Sequence, residues 1–539
     1  MKRRDFLKAV TATAAVGTLP APAIWTSAKA QSRQETLIFV TEAGPNNFDI
    51  HGVGTNRPGY EVSWNCYDRL ISYGSKTLPD GTLSYDRDKI VPELAEEWSA
   101  GPDSITFKLR KDAKFHDGTP ITARDVKWSF DRAVTVGGFP TFQMKAGSLE
   151  KPEQFVAVDD HTFRVDFLRK DRLTIPDLAV IVPAIYNSEL VKKNATEKDP
   201  WGLEYTKVNI AGGGAFKVVR SQPGSEVVYE RYDDWKCGPL PKLKRVVWRM
   251  VPSAGNRRAL VERGDADISF DLPSKDFAEL RKAGKVNVAS TPVGNGIWYL
   301  GMNTKKAPFD NVKVRQAVAY AVPYQKIMDA VMFGLAKPMF GAASNGAADA
   351  TWPQPHGYKA DLEKAKALLA EAGVPNGFET TLSFDLGLGV IGEPLSVLVQ
   401  ESLGAIGIKV TLNKIPGANW RSELIKKELP MIVNFFSGWL DYPEYFFFWC
   451  YHGQNAVFNT MSYQDAAMDA LIDGARKAAA EGDSATYETD AKGFIDKAFA
   501  DVPRVPLFQP YLNVAMQKNI TGYQYWFHRQ LDYRTLAKG

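Results

Sequence analysis

Between Glu379 and Ile415 the hydrophobic pattern changes period twice, which restricts the architecture more than any other stretch of the chain. Thr380, Leu382 and Phe384 recur at every second residue, the period of a strand. Pro394 reads as the opening of a helix whose one face carries Leu395, Leu398, Val399, Leu403 and Ile406. Gly407 suits the left-handed residue that closes such a helix, and Ile408, Val410 and Leu412 then alternate as a second strand. A strand, helix and strand of these lengths implies a right-handed crossover between parallel neighbours, the signature of an α/β fold. Asn311 to Val322, ended by Pro323, and Asp361 to Ala372, stopped by Gly373 and Pro375, read as further amphipathic helices.

The same logic applies nearer the start. Ile105, Phe107 and Leu109 alternate with Thr106, Lys108 and Arg110 as a half-buried strand. Asp117-Gly118 is a turn. Thr122, with Asp125 three residues on, predicts a capped helix start, and Val126, Phe130 and Ala133 share one helical face beyond it.

The first thirty residues read as an address. Lys2, Arg3 and Arg4 precede Asp5-Phe6-Leu7-Lys8 in the manner of a twin-arginine export motif, with Lys2 where serine is commoner. The apolar run from Ala9 to Leu19 is too short for a membrane span, which needs about 20 residues. Ala28-Lys29-Ala30 offers small residues for cleavage. This segment carries five basic residues and one acidic, a net of +4 that equals the formal charge of the whole chain. The remainder is therefore formally neutral, and no nucleic-acid partner is expected despite a sequence pI of 8.6. Removing 30 of 539 residues leaves 509, too many for one core, so two or three domains are expected.

Enzyme motifs are missing. There is no phosphate-binding glycine loop with its lysine, no His-Glu-x-x-His and no Gly-x-Ser-x-Gly. Ser148 to Lys151 matches Ser-x-x-Lys without its companion motifs. The six histidines do not fall at helical metal spacing, and Cys66, Cys237 and Cys450 form no zinc or disulfide framework. Neither a metal nor a cofactor is expected. What stands out is Phe435 to Tyr451, with ten aromatic residues in seventeen. Aromatic walls with a few fixed polar groups are how pockets bind organic solutes. Phe435, Phe446, Phe447 and Phe448 read as core, whereas Trp439 and Asp441 read as site, because a carboxylate beside a Gly-Trp turn is costly unless paired.

Several motifs resemble the extracytoplasmic solute-binding proteins of the peptide/nickel ABC transporter family, over essentially the whole chain after the address. Val91-Pro92-Glu93-Leu94-Ala95-Glu96-Glu97-Trp98 is similar to that family's early segment. Phe115-His116-Asp117-Gly118-Thr119-Pro120-Ile121-Thr122-Ala123-Arg124-Asp125-Val126 is a long and specific match, read as structural. Gly213-Gly214-Ala215-Phe216, Asp233-Asp234-Trp235, Leu260 to Asp267 and Val314-Arg315-Gln316-Ala317 resemble further landmarks, with Arg315 anchoring its helix through buried hydrogen bonds. Gly438-Trp439-Leu440-Asp441-Tyr442 resembles the segment where oligopeptide receptors hold a ligand's amino group.

The resemblance implies a two-lobed periplasmic binding protein fold, type II, with an extra domain and the ligand in the interlobe cleft. It implies residues 31–73, 205–295 and 509–539 in the first lobe, 74–204 in the extra domain and 296–508 in the second lobe. It implies no catalysis but capture of a peptide or peptide-like, amine-bearing solute by a periplasmic monomer, for delivery to an ABC permease in the membrane. Asp441 would hold the ligand ammonium and Trp439 would wall the pocket, joined by Tyr442, Asn47, Phe48, Asn295 and Gly296. Two departures stand against a plain dipeptide. Phe436 occupies a place where oligopeptide-type relatives can carry arginine, and Ser383 to Gly392 lacks the basic residue that grips a dipeptide's carboxylate. An opine, a sugar or a nickel chelate remain open as ligands. A secreted hydrolase and a periplasmic chaperone or sensor partner are the competing classes.

Overall fold

The computed structural model describes residues 33–539 apart from 53, 344–347 and 456–457; the expected export signal, residues 1–30, lies outside them. One long mixed sheet of twelve strands organises the molecule. From one edge it runs Lys409–Ile415, Glu379–Asp385, Met431–Ser437, Gly296–Met302, Arg504–Met516, Ile268–Ser269, Thr36–Thr41, Arg245–Met250, Glu226–Arg231 and Phe216–Gln222. Asn287–Pro292 and Ala336–Pro338 attach to the central strand Arg504–Met516.

That central strand belongs to two halves at once. Its first part pairs with Gly296–Met302, and its second part pairs with Asn287–Pro292 and Ile268–Ser269. We refer to the half holding Gly296–Met302 as the second lobe and to the half holding Thr36–Thr41 as the first. Two smaller sheets stand beside the first lobe. Ile71–Thr77, Leu83–Pro92 and Gln524–Tyr525 form one, and Ala95–Ala100, Ser104–Leu109, Thr162–Asp166 and Phe155–Asp159 form the other.

The crossover unit folds as its periodicity dictates. Glu379–Asp385 pairs in parallel with Lys409–Ile415 over all seven residues. Leu395, Val399 and Leu403 are buried against these strands, and Gly407 has φ +87°. One expectation is corrected: the helix begins at Gly389, so Pro394 lies inside it. The carbonyl that loses its partner there belongs to Val390, an exposed residue, so water can satisfy it and the usual penalty of an interior proline is relieved. Asn311 and Asp361 cap their helices as expected, with side chains accepting from Lys313 and Lys364 amides. Arg315 donates to the carbonyls of Phe309, Asp310 and Asp501, holding its helix in place.

Thr122 and Asp125 form the capping box, and Val126, Phe130 and Ala133 are fully buried on one face of the helix Ala123–Thr135. Arg132 on that helix makes a fully buried ion pair with Asp49, 2.6 Å long. Tyr186 and Thr206 also donate to Asp49, so the pair is hydrogen-bonded all round, the condition under which a buried ion pair is tolerated.

The chain's last segment returns to the first lobe and docks on the helix Arg57–Cys66. Asn65 donates to the Leu531 carbonyl and accepts from the Tyr533 amide, each at 3.0 Å. Glu61 accepts from the Tyr533 hydroxyl at 2.8 Å. This docking fixes His528 and Arg529 over the start of the helix.

Candidate functional site

A cavity of about 240 Å³ lies between the lobes. From the first lobe and its attached region come Arg57, Tyr60, Phe139, Phe142, Gln143 and Arg529; from the second come Arg421, Phe435 to Trp439, Tyr445, Trp449 and Phe458. Local sequence explains the placement. Asn56 caps the helix Arg57–Cys66 by accepting from the Gly59 amide, and Arg57 and Tyr60, three residues apart, share one face. Phe435 and Phe436 end the strand Met431–Ser437, which pairs antiparallel with Gly296–Met302. At Gly438 the chain turns so tightly that a Cβ would meet the Tyr445 ring at 2.4 Å.

Aromatic rings close the two lobes on each other. Tyr60 stacks on Phe139, with centroids 5.6 Å apart, and both meet the Trp439 ring, at 5.2 and 5.1 Å. Phe436 packs against Phe446 and Phe458. Tyr445 donates to Gln143 Oε1, and Gln143 in turn donates to the buried Asp177, a chain of hydrogen bonds that crosses the cleft.

Three guanidiniums face this aromatic cavity, and its lining includes no carboxylate. Arg57 donates to the His528 carbonyl at 2.6 Å. Arg529 lies over the Phe435 ring at 5.0 Å, and its buried Nε has no hydrogen-bond partner. Arg421 lies 5.5 Å from the Phe458 ring centre. Among the described residues none of the three makes an ion pair. Burial, followed by the neighbouring charge of Arg57, pushes Arg529 well below the ordinary arginine value. Burial also lowers Arg57. Two partly desolvated cations that repel each other in an apolar setting are costly unless an anion joins them.

A second cavity, of about 220 Å³, shares the wall formed by Arg421, Phe435, Phe436 and Phe458. Its remaining lining comes from the second lobe and includes Tyr299, Asp385, Trp420, Asn434 and Thr460. Asn434 donates to the Tyr299 hydroxyl and accepts from the Trp420 indole, so these polar groups are already ordered.

Of the seven residues expected at the site, Trp439 alone lines the first cavity, and none lines the second. Asp441 is taken up elsewhere: its Oδ2 accepts from the Tyr85 hydroxyl at 2.6 Å and its carbonyl accepts from Arg87. Tyr442 lies under the guanidiniums of Arg87 and Arg172. Asn295, with φ +50°, donates to the Leu440 and Tyr442 carbonyls and so shapes the turn, and Gly296 pairs with Ser437. Asn47 and Phe48 are buried near Asp49, with the Asn47 side chain accepting from the Asp49 amide. Phe435 was expected in the core and instead walls both cavities, because it stands at the strand end where the sheet opens into the cleft. Phe446 and Phe447 are fully buried as expected, and Phe448 is half-buried beneath Arg476.

Arg57, Arg421 and Arg529 carried no signal in sequence, since 364 and 108 residues separate them. The model of the bacterial extracellular solute-binding proteins, family 5 (middle), matches residues 89–458. The chain belongs to that family. It is 29% identical over 498 residues to the probable D,D-dipeptide-binding periplasmic protein DdpA of Escherichia coli, covering 91% of each chain. It is 28% identical to a glutathione-binding protein, GsiB, of Pectobacterium atrosepticum, covering 85% of this chain and 88% of that one. Among solved structures, AgaA from A. tumefacien R10 in complex with agropinic acid superposes with a TM-score of 0.77 at 28% identity, covering 94% of this chain and 99% of the other. The fold is thus the two-lobed periplasmic binding protein fold, and this family 5 member is a non-enzymatic, extracytoplasmic substrate-binding protein of an ABC transporter.

Proposed function

We propose that the cleft captures an acidic organic solute, a carboxylate-bearing molecule of opine or short-peptide type, and that the closed form hands it to an ABC importer's permease. The observation that carries this reading is the set of three guanidiniums, Arg57, Arg421 and Arg529, facing an aromatic cavity with no carboxylate in its lining and, among the described residues, no ion pair of their own. Arginine matches the planar, two-oxygen geometry of a carboxylate, and its charge is worth most where water is displaced. The rings of Tyr60, Trp439, Phe435 and Phe436 supply apolar surface for the rest of the molecule. Relatives that bind agropinic acid and glutathione support an acidic ligand. The reading moves the principal charged anchor from an ammonium on Asp441 to a carboxylate on the arginines. Export by the twin-arginine route to the periplasm, and action there as a monomer, complete it.

The test is a thermal-shift and calorimetric screen of the mature chain, stripped of solute, against acidic, neutral and basic peptides, opines and sugars. A ligand at 100 times its dissociation constant stabilises by about 2.7 kcal/mol, a clear shift. Acidic solutes are expected to stabilise, and the paired substitution of Arg57→Gln with Arg529→Gln is expected to abolish the effect. Stabilisation by neutral or basic solutes alone overturns the reading.

A further inference from the structure

Asp385 ends the strand Glu379–Asp385 and lines the second cavity, half-buried, facing the same shared wall that bounds the arginine-lined one. Its Oδ1 accepts from the Gly387 amide at 2.7 Å, capping a short turn. Its second oxygen has no hydrogen bond, and no cation among the described residues pairs with it. The lysine nearest in register, Lys414 on the adjacent strand, is taken up by Glu393 instead. Partial burial raises the Asp385 carboxyl from its ordinary value, so an anion here gains from any cation that reaches it. The capping role explains one oxygen only, and asparagine would fill it equally well. Arg57 and Arg529 thus line only the first cavity, Asp385 lines only the second, and Arg421 lines both, in the shared wall with Phe435, Phe436 and Phe458.

We propose that Asp385 is the second anchor of the site: it receives the ammonium of a solute whose carboxylate lies against Arg57 and Arg529. The bound molecule is then a zwitterion laid across both cavities, acid end toward the first lobe and amine end deep in the second. This inference rests on the acidic-solute reading above and adds the ligand's other end and its direction.

The experiment is isothermal calorimetry on the full mature chain with matched probes. Glutathione is paired with its des-amino twin, glutaryl-cysteinyl-glycine, and a set of acidic peptides and opines is paired with the N-acetylated forms. The expected result is that an amine-bearing member binds at least tenfold tighter than its twin. In D385N that preference disappears, while the twin's affinity is unchanged. Asparagine keeps the acceptor for the Gly387 amide, so the ligand-free melting temperature should not move, which separates loss of recognition from loss of fold. Twins that bind alike in the native chain, or a preference that survives in D385N, overturn the role of Asp385 and leave the arginine reading standing. If no acidic probe of either kind binds, the arginine reading fails and this inference falls with it.

Discussion

The guanidinium of Arg529 lies 5.0 Å from the ring centre of Phe435, joining the last segment of the first lobe to the strand that ends at the cleft in the second. Among the described residues Arg529 makes no ion pair, and it is repelled by Arg57. Arg529→Gln is therefore expected to leave the ligand-free protein as stable as before, or more stable by about 1 kcal/mol, while weakening an acidic ligand by about 2–5 kcal/mol. Melting curves with and without ligand check both halves of the expectation, and a large loss of ligand-free stability would show Arg529 to be structural.

Tyr85 joins the strand Leu83–Pro92 to Asp441, the phenol donating to the carboxylate at 2.6 Å. A hydrogen bond to a charged group contributes about 1.5–3 kcal/mol. Asp441→Ala should therefore shift the ligand-free ensemble toward the open form, visible as a larger radius of gyration in solution scattering. Ligand selectivity between acidic and neutral solutes should be retained. Unchanged scattering with selectivity lost would return Asp441 to the binding site.

Glu61 gives the fold a pH dependence of unusual sign. Burial raises its carboxyl from 4.5 to about 8, against hydrogen bonds from Tyr533 and Leu531 that favour the anion. Between those two values the native state holds a proton that the unfolded chain has released. Stability therefore falls as pH rises through this window, by at most about 1.4 kcal/mol per pH unit from this group. Glu61→Gln should flatten that slope in denaturant titrations at pH 5, 6.5 and 8.

The opposite sign applies to Asp49. Burial opposes its charge, but the Arg132 guanidinium and its hydrogen bonds outweigh that and hold the carboxyl well below the ordinary range. Its stabilisation is present above the unfolded value of 3.8 and is lost as pH falls below it. Removing one partner of a buried pair strands the other, so Arg132→Ala should cost about 3–5 kcal/mol at neutral pH by chemical denaturation.

Periodicity and caps made much of the fold legible. The crossover from Glu379 to Ile415 and the capping box at Thr122 are local patterns, and local patterns fix local structure. The aromatic segment and Trp439 were also visible, because composition survives without a fold. Asp49–Arg132 and the arginine set were not, since each unites residues from distant parts of the chain with no spacing rule between them. Phe435 was misread for a related reason. Whether a strand-end phenylalanine meets core or cleft depends on where the sheet stops, and that is a property of its neighbours.

The docking of Leu531 and Tyr533 on the helix Arg57–Cys66 ties one wall of the cavity to a contact between segments far apart in the chain. Arg529 is held in place by contacts from Asn65 and Glu61 to Leu531 and Tyr533. The cavity wall is thus set by a packing contact remote from it, so substitutions at Asn65 or Glu61, which line neither cavity, would disturb the arginine set from a distance.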